Sequence, residues 1–171
     1  RPTREWGTSI GRTVVDGNGI GDTPQPVAGG EQDRFPRMAL GGPGLLSSAT
    51  STLSATSGGQ VSFALHAGAA HAGRAYLLLG SSTGNAPGIL LPGGLALPLV
   101  SDAFTGHIQA NLGSAEFAGF QGVLDGSGSA SATWTRAPIG AAFVGLRLEF
   151  AWTLVAPWDL VSHPLSIELV P

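Results

Sequence analysis

Apolar and polar residues alternate over several short stretches of the chain, most clearly in residues 143–155. The residues at polar positions there include Arg147, Glu149 and Thr153. The alternate positions hold Val144, Leu146, Leu148, Phe150, Trp152 and Leu154. A period of two puts successive side chains on opposite faces of a strand, whereas a helix would spread them around its circumference. The pattern therefore predicts a strand over 143–155 with one apolar face.

Shorter stretches with the same character precede and follow this run. Val61, Phe63 and Leu65 alternate with more polar neighbours in residues 61–66, which predicts a half-buried strand. The further strands predicted are 74–79, 104–112, 115–120, 128–135 and 165–169. Gly, Pro, Asp-Gly and Ser-Gly signals separate them, as turns do between strands. About eight short strands predict an all-β fold, an antiparallel β-sandwich or jelly roll.

The composition of the chain changes near residue 42. Residues 1–42 hold most of the charged side chains, with Gly and Pro spread throughout and little apolar periodicity. We expect this part to be an extended arm or the end of a preceding domain. Residues 43–171 are expected to form the β-sandwich.

The overall composition argues against several classes of protein. Only 11 % of the residues are charged, against a usual share of about 25 %, and 27 glycines and 12 prolines disfavour a helical protein. A net charge of −3 with no lysine offers no basic surface for nucleic acid. The most apolar stretch, 88–100, is interrupted by Pro92 and Pro98, so membrane insertion is not expected. The absence of cysteine leaves the redox compartment undetermined.

Residues 74–171 resemble a module found at the C-termini of large secreted proteins of planctomycetes and related environmental bacteria. The residues that carry the resemblance are 74–80 (RAYLLLG), Gly84, Pro87, Gly88, 97–99 (LPL), Asp102, 120–125 (FQGVLD) and 162–165 (SHPL). The module often has Asn where this chain has His163. The resemblance implies a secreted β-sandwich accessory without a defined activity.

A second resemblance covers residues 5–38. Trp6, the run 16–24 (DGNGIGDTP) and the run 33–38 (DRFPRM) are similar to the closing segment of NosD-like parallel β-helix proteins. Asn18 and Phe35 depart from that pattern, which has an acid and a tyrosine there. The resemblance implies that the sequence begins near the end of a longer extracellular chain, or that this segment remains as an arm after processing.

Asp16, Asn18 and Asp22 are candidate ligands of a metal ion. A turn rich in glycine could bring their oxygens together, and Ca²⁺ takes six to eight oxygen ligands. Val14 stands where repeat-type calcium loops usually carry another acid. The sequence is therefore compatible both with a structural calcium site and with a solvated Asp-Gly turn.

A serine hydrolase is the catalytic alternative. Residues 80–84 (GSSTG) fit the nucleophile-elbow pattern around Ser82 and follow an apolar stretch. The elbow needs a helix that starts at the serine, and 85–88 (NAPG) cannot begin one. We therefore expect no enzyme, and we interpret the four histidines, His66, His71, His107 and His163, as surface residues.

Aromatic side chains offer a possible sugar-stacking surface. Trp134 and Trp152 fall on apolar strand faces, which indicates core packing. Trp158 lies between Pro157 and Asp159 in a predicted loop, so it is the one candidate ligand contact.

These features lead to two functional expectations. The first is a non-catalytic extracellular structural module, a cell-surface, adhesive or filament-forming subunit that forms homo-oligomers or polymers when its arm adds a strand to a neighbour. The alternative is a carbohydrate-binding β-sandwich of a larger secreted protein, with a polysaccharide as partner. A structural calcium ion is the one cofactor that the sequence suggests.

Overall fold

A computed structural model describes residues 45–171 of this chain. In chain order its strands are β1 (Leu46–Ser48), β2 (Thr52–Ser54), β3 (Gly59–His66), β4 (Ala75–Ser81), β5 (Ile89–Leu90), β6 (Ala96–Leu97), β7 (Phe117–Ala118), β8 (Gln121–Val123), β9 (Ser129–Arg136), β10 (Arg147–Leu154) and β11 (Leu165–Val170). One α-helix, α1 (Ala103–Ala110), and two short 3₁₀ helices, Ala69–His71 and Ala141–Phe143, complete the regular structure of these residues. The predicted all-β fold class is confirmed.

Nine of the strands form two sheets. The first sheet has the order β1–β3–β9–β7 and is antiparallel throughout. The second has the order β2–β11–β10–β4–β8, and its β2–β11 pair is parallel. The predicted antiparallel pairing is therefore wrong for this one pair of strands. Strands β5 and β6 form a separate two-stranded hairpin.

Aromatic contacts show that the two sheets pack face to face. Phe63 of the first sheet and Phe150 of the second have ring centroids 4.9 Å apart, and Trp134 lies 5.5 Å from Phe150. All three side chains are almost completely buried. This apolar interior supplies the main stabilising term of the fold, and the arrangement fits a β-sandwich.

Short segments of chain cross from one sheet to the other at both sides of the sandwich. Strand β1 lies at the edge of the first sheet, and β2 follows three residues later at the edge of the second. Strands β7 and β8 make the same crossing at the opposite edges. Each edge strand is only two or three residues long, and such short edges present few unpaired main-chain groups.

Helix α1 replaces the strand predicted over 104–112, so that prediction was wrong. Asp102 caps the helix, because its carboxylate accepts a hydrogen bond from Thr105 N while the Thr105 hydroxyl lies close to Asp102 N. The Thr105 hydroxyl also donates to Gly80 O of β4 at 2.7 Å. A Cβ on Gly80 would meet Phe104, Ile108 and Phe150, so the helix packs closely over a glycine in the strand.

Two other predicted strands are shorter in the structure. The 115–120 prediction retains only the two residues of β7. The 143–155 strand begins at Arg147, because Phe143 ends a 3₁₀ helix and Gly145 has a φ of +87°. Leu148, Phe150, Trp152 and Leu154 are buried, as the alternation predicts.

The opposite face of β10 is also buried, contrary to the expectation of a polar outer face. Glu149 is 8 % exposed, and Ala151 and Thr153 are fully buried. The β5–β6 hairpin contacts β10 through β6, and Leu97 of β6 is fully buried. Thr153 donates to Leu160 O, and Glu149 accepts from the Ser166 hydroxyl, which satisfies these buried polar groups.

Among residues 45–171 there is no helix of the length and apolarity that a membrane span requires.

Candidate functional site

A cavity among the described residues lies between β9 of the first sheet and β10 and β11 of the second. We call it the mouth cavity, and its volume is about 560 Å³. Most of its lining is apolar and comes from both sheets, from α1 and from the loop before β10. The lining residues are Ser82, Ala103, Phe104, His107, Trp134, Arg136, Pro138, Ile139, Phe143, Leu146, Leu148 and Leu169.

A cluster of charged side chains lies beside the mouth cavity. Arg136 Nη1 donates to Glu116 Oε1 at 2.6 Å. His107 Nε2 lies 3.4 Å from the same carboxylate, and its Nδ1 is 3.2 Å from Asn111 Nδ2. Both ring nitrogens of His107 therefore have neighbours, and the histidine interacts with a structural ion pair.

The indole of Trp134 forms part of the cavity lining and is 1 % exposed. Its Nε1 is shielded from solvent and has no hydrogen-bond partner among residues 45–171. Trp152 differs, because its Nε1 donates to Leu45 O at 2.9 Å. Buried side-chain donors usually have partners, so the Trp134 indole N–H is an exception among the described residues.

The sequence correctly predicts that Trp134 lies in the core. It does not predict the cavity or the charged side chains beside the cavity. Trp134 and Arg136 are two residues apart in β9, and this spacing puts them on one face. The sequence therefore contained a sign that Trp134 and Arg136 are neighbours. The pairing of Glu116 with Arg136 spans 20 residues and depends on the β7–β9 register, which the sequence pattern does not give.

Ser82 also lines the mouth cavity, but its hydroxyl is bound elsewhere. Ser82 Oγ donates to Asp102 Oδ2 at 2.9 Å, and Ser82 N donates to the same oxygen at 2.6 Å. Ser81 and Thr83 hydrogen-bond to this oxygen as well. The helix that follows begins at Ala103 rather than at Ser82, so the nucleophile-elbow geometry is not formed.

The pKa of Asp102 reflects this network. Burial alone would raise the pKa, but hydrogen bonds from Thr105 N, Ser82 N and the hydroxyls of Ser82 and Ser81 outweigh it. The pKa of Asp102 is therefore held far below its ordinary value. An acid with this environment stays ionised and acts as an anchor for the turn and the helix.

Trp158, the predicted ligand contact, lines a second cavity of about 440 Å³ together with Tyr76, Leu77, Gln121 and Val123. We call it the Trp158 cavity. The indole is half-buried and packs against the core, so it is less exposed than a free loop residue would be.

Arg74 fixes the residues on either side of Trp158. Its guanidinium lies 2.8 Å from the Asp159 carboxylate and donates to Pro157 O at 2.6 Å. Hydrogen bonds from Arg74 lower the pKa of Asp159. These contacts restrain the loop that carries the Trp158 indole.

The remaining predicted site residues are not brought together by the described structure. Asp16, Asn18 and Asp22 lie outside the described residues. Within residues 45–171, no group of three or more His, Asp or Glu side chains is arranged to hold a metal ion. His66 is exposed and lies 3.0 Å from Ser129 Oγ, while His71 neighbours Arg74.

Comparison of the chain with protein-family models, with curated proteins and with solved structures found no match. The described residues therefore define only a class of fold, an all-β module of two packed sheets.

Proposed function

We propose that this chain is a non-catalytic extracellular module, a structural subunit that associates through residues 1–42. The observation that supports a non-catalytic role is the use of the acidic side chains in 45–171. Five of the six have hydrogen-bond or ion-pair partners that organise the fold. These five are Asp102, Glu116, Asp125, Glu149 and Asp159.

The finer architecture that we propose is a jelly-roll-like sandwich preceded by an extended arm. The two crossings, β1 to β2 and β7 to β8, support it, because jelly-roll chains also pass between their sheets at the edges. Leu45 is well anchored, since its carbonyl accepts from Trp152 Nε1 and from His66 N. A partner that binds the arm would therefore be connected to the sandwich through Leu45.

We assign β8 as the edge that receives the arm of a neighbouring copy. It lies at the end of its sheet and carries Val123, an apolar side chain that is 63 % exposed. An added strand would bury Val123 and pair with main-chain groups of β8. Because β8 has only three residues, we expect weak, concentration-dependent association.

Sedimentation velocity of the whole chain over a range of concentrations tests this proposal. We expect association that is lost on deletion of residues 1–42 and reduced by Val123→Lys. Leu90→Lys is the matched control, because Leu90 is also apolar and is 76 % exposed but lies outside the two sheets. A monomer at every concentration, or equal effects of the two lysines, would reject assembly through β8.

Carbohydrate binding by the Trp158 cavity is the second candidate. The supporting observation is an indole held beside Tyr76 and Gln121, which combines an aromatic surface with a polar side chain. A glycan array that gives signals with the whole chain, lost with Trp158→Ala and retained with Leu90→Ala, would support it. Silence of the array would exclude this function.

A structural calcium ion at Asp16, Asn18 and Asp22 remains part of the proposal. Calorimetric titration with CaCl₂ should show binding to the whole chain that Asp22→Ala removes, because carboxylate oxygens supply most of the attraction for Ca²⁺. No heat with the unaltered chain would rule it out.

A further inference from the structure

We propose that the strand added at β8 is residues 6–15 of a neighbouring copy, with Ile10 packed into the Trp158 cavity. The proposal rests on the first proposed function and deepens it, because it names the segment and the pocket that assembly through β8 would use. The open edge of β8, the apolar cavity beside that edge and the sequence of residues 6–15 support it.

The main chain of β8 can pair with an extended segment on its open side. Phe120 O accepts from β4 at 2.7 Å, and Leu124 N donates to Arg74 O at 2.9 Å. Main-chain groups of successive strand residues point to opposite sides, so those of Gln121 and Val123 face away from β4. A partner strand can therefore form hydrogen bonds with both of these residues.

The Trp158 cavity lies on one face of β8, beside this open edge. Val123 and Gln121 are two residues apart in the strand, and both line the cavity. The other large side chains of the lining, apart from Tyr76, are apolar and half-buried, namely Leu77, Leu112, Val155 and Trp158. A strand added at β8 would place alternate side chains over Val123, so an apolar side chain is favoured at that position.

The other face of β8 offers a partner strand little apolar contact. Gly122 has no side chain, and its neighbours Phe120 and Leu124 are already buried in the core. A strand that pairs with β8 therefore gains apolar contact on one face only. The segment that fits best has large apolar residues on one face and small residues on the other.

Residues 6–15 have this distribution of large and small side chains. Trp6, Ile10 and Val14 are an even number of positions apart and share one face of an extended chain, whereas the opposite face is mostly Gly, Ser and Thr. The segment contains no proline, and its glycines and β-branched residues favour a strand over a helix. Ile10 is the central apolar residue of its face, so we place it against the cavity.

The chain between this segment and the sandwich is long enough to reach a neighbouring copy. Residues 16–44 separate the segment from Leu45, where the described structure begins. A chain of that length spans at most about 100 Å when extended. The radius of gyration expected for a domain the size of residues 45–171 is only about 14 Å.

Disulfide cross-linking tests the contact directly, because the chain contains no cysteine. Whole chains with Ile10→Cys and with Val123→Cys are mixed and oxidised, and one of the two carries a mass tag. We expect a disulfide-linked heterodimer, since Cβ atoms directly opposite each other in adjacent strands lie about 5 Å apart. In the control mixtures Val27→Cys replaces Ile10→Cys, and Leu90→Cys replaces Val123→Cys. Each control should give much less heterodimer, although Leu90 is 76 % exposed.

Variants measured by sedimentation velocity connect Ile10 to the cavity. Ile10→Ser should weaken association of the whole chain by about tenfold, because an apolar side chain is no longer buried. Ser9→Ala is the matched control and should leave association unchanged. Trp158→Ala should also weaken association, and its effect should be smaller when Ile10→Ser is already present, because two residues in contact are not independent. Fully additive effects would place Ile10 outside the cavity and refute the assignment.

The failure of this inference can be distinguished from the failure of assembly through β8. If Val123→Lys reduces association but Val27→Cys cross-links to Val123→Cys as well as Ile10→Cys does, β8 receives a different segment and only the inference is wrong. A chain with both Ile10→Cys and Val123→Cys that closes on itself, while the mixtures stay uncross-linked, would also overturn it. A monomer at every concentration would reject both.

Discussion

Asp102 shows how much of this fold can depend on one side chain. One carboxylate oxygen accepts from Thr105 N at the start of α1, and the other accepts from Ser82 N and Thr83 N in the turn after β4. The residue thereby joins a helix to a strand that lies 20 residues earlier in the chain. Hydrogen bonds to an ionised group are stronger than those between neutral groups, so the charge itself stabilises the fold.

The charge of Asp102 should make stability fall in acid. Because its pKa in the folded protein is well below the unfolded value of about 3.9, the stabilisation is complete above that pH. It is lost progressively as the pH falls from there toward the folded pKa. We expect Asp102→Asn to reduce the free energy of unfolding by about 2 kcal/mol at neutral pH.

Urea unfolding between pH 7 and pH 2 measures this effect. The difference between the unaltered chain and Asp102→Asn should shrink in acid, whereas Glu168→Gln, at an exposed position, should behave like the unaltered chain throughout. A difference that stays constant with pH would show that the charge of Asp102 does not contribute.

Two glycines in the turn before β9 should respond very differently to substitution. Gly128 has a φ of +73°, and an added Cβ would collide with Gly68 O, so Gly128→Ala should cost about 3 kcal/mol or more. Gly126 has open space around it, and Gly126→Ala should change the free energy of unfolding little. Chemical denaturation of the two variants compares them directly, and equal stabilities would contradict the described turn.

Helix α1 was the element that the alternation of apolar residues misidentified. Phe104, Gly106 and Ile108 are two apart, which imitates a strand, but Phe104 and Ile108 are also one helical turn apart. The stronger signal was local: Asp102 precedes the apolar residues, as an N-cap does, with Thr105 at the third helical position. Capping chemistry decides the structure here, and apolar spacing does not.

The helix should contribute to stability through its buried face. Ile108 is fully buried, so Ile108→Ala should destabilise the fold by about 3 kcal/mol, while Gln109→Ala at the neighbouring exposed position should have little effect. Thermal unfolding followed by circular dichroism compares the two. Equal melting temperatures would mean that α1 does not pack into the core.

Strand β10 was predicted well, except for the environment of one face. A period of two tells which side chains share a face, and Leu148, Phe150 and Trp152 do so. It does not tell whether another element covers the opposite face. Strand β6 contacts β10, and Ser166 donates to Glu149 from 17 residues further along the chain, so the burial of that face depends on contacts that the pattern of β10 does not show.

At the scale of the whole molecule, the sequence predicts the fold class but not the connections. Short alternating runs separated by glycine and proline suffice to indicate packed sheets. The parallel β2–β11 pair joins residues more than 100 apart, and neither it nor the edge crossings leave a local pattern. The lining of the mouth cavity comes from segments distant in sequence, so the sequence pattern does not place its residues together.

The central claim is that two sheets close over one aromatic core, and nuclear Overhauser effects between the sheets test it most directly. Phe150 ring protons of the second sheet should show cross-peaks to the rings of Phe63 and Trp134 of the first, at the centroid distances of 4.9 and 5.5 Å. Assigned spectra in which Phe150 contacts neither ring would contradict the sandwich and the cavities built on it.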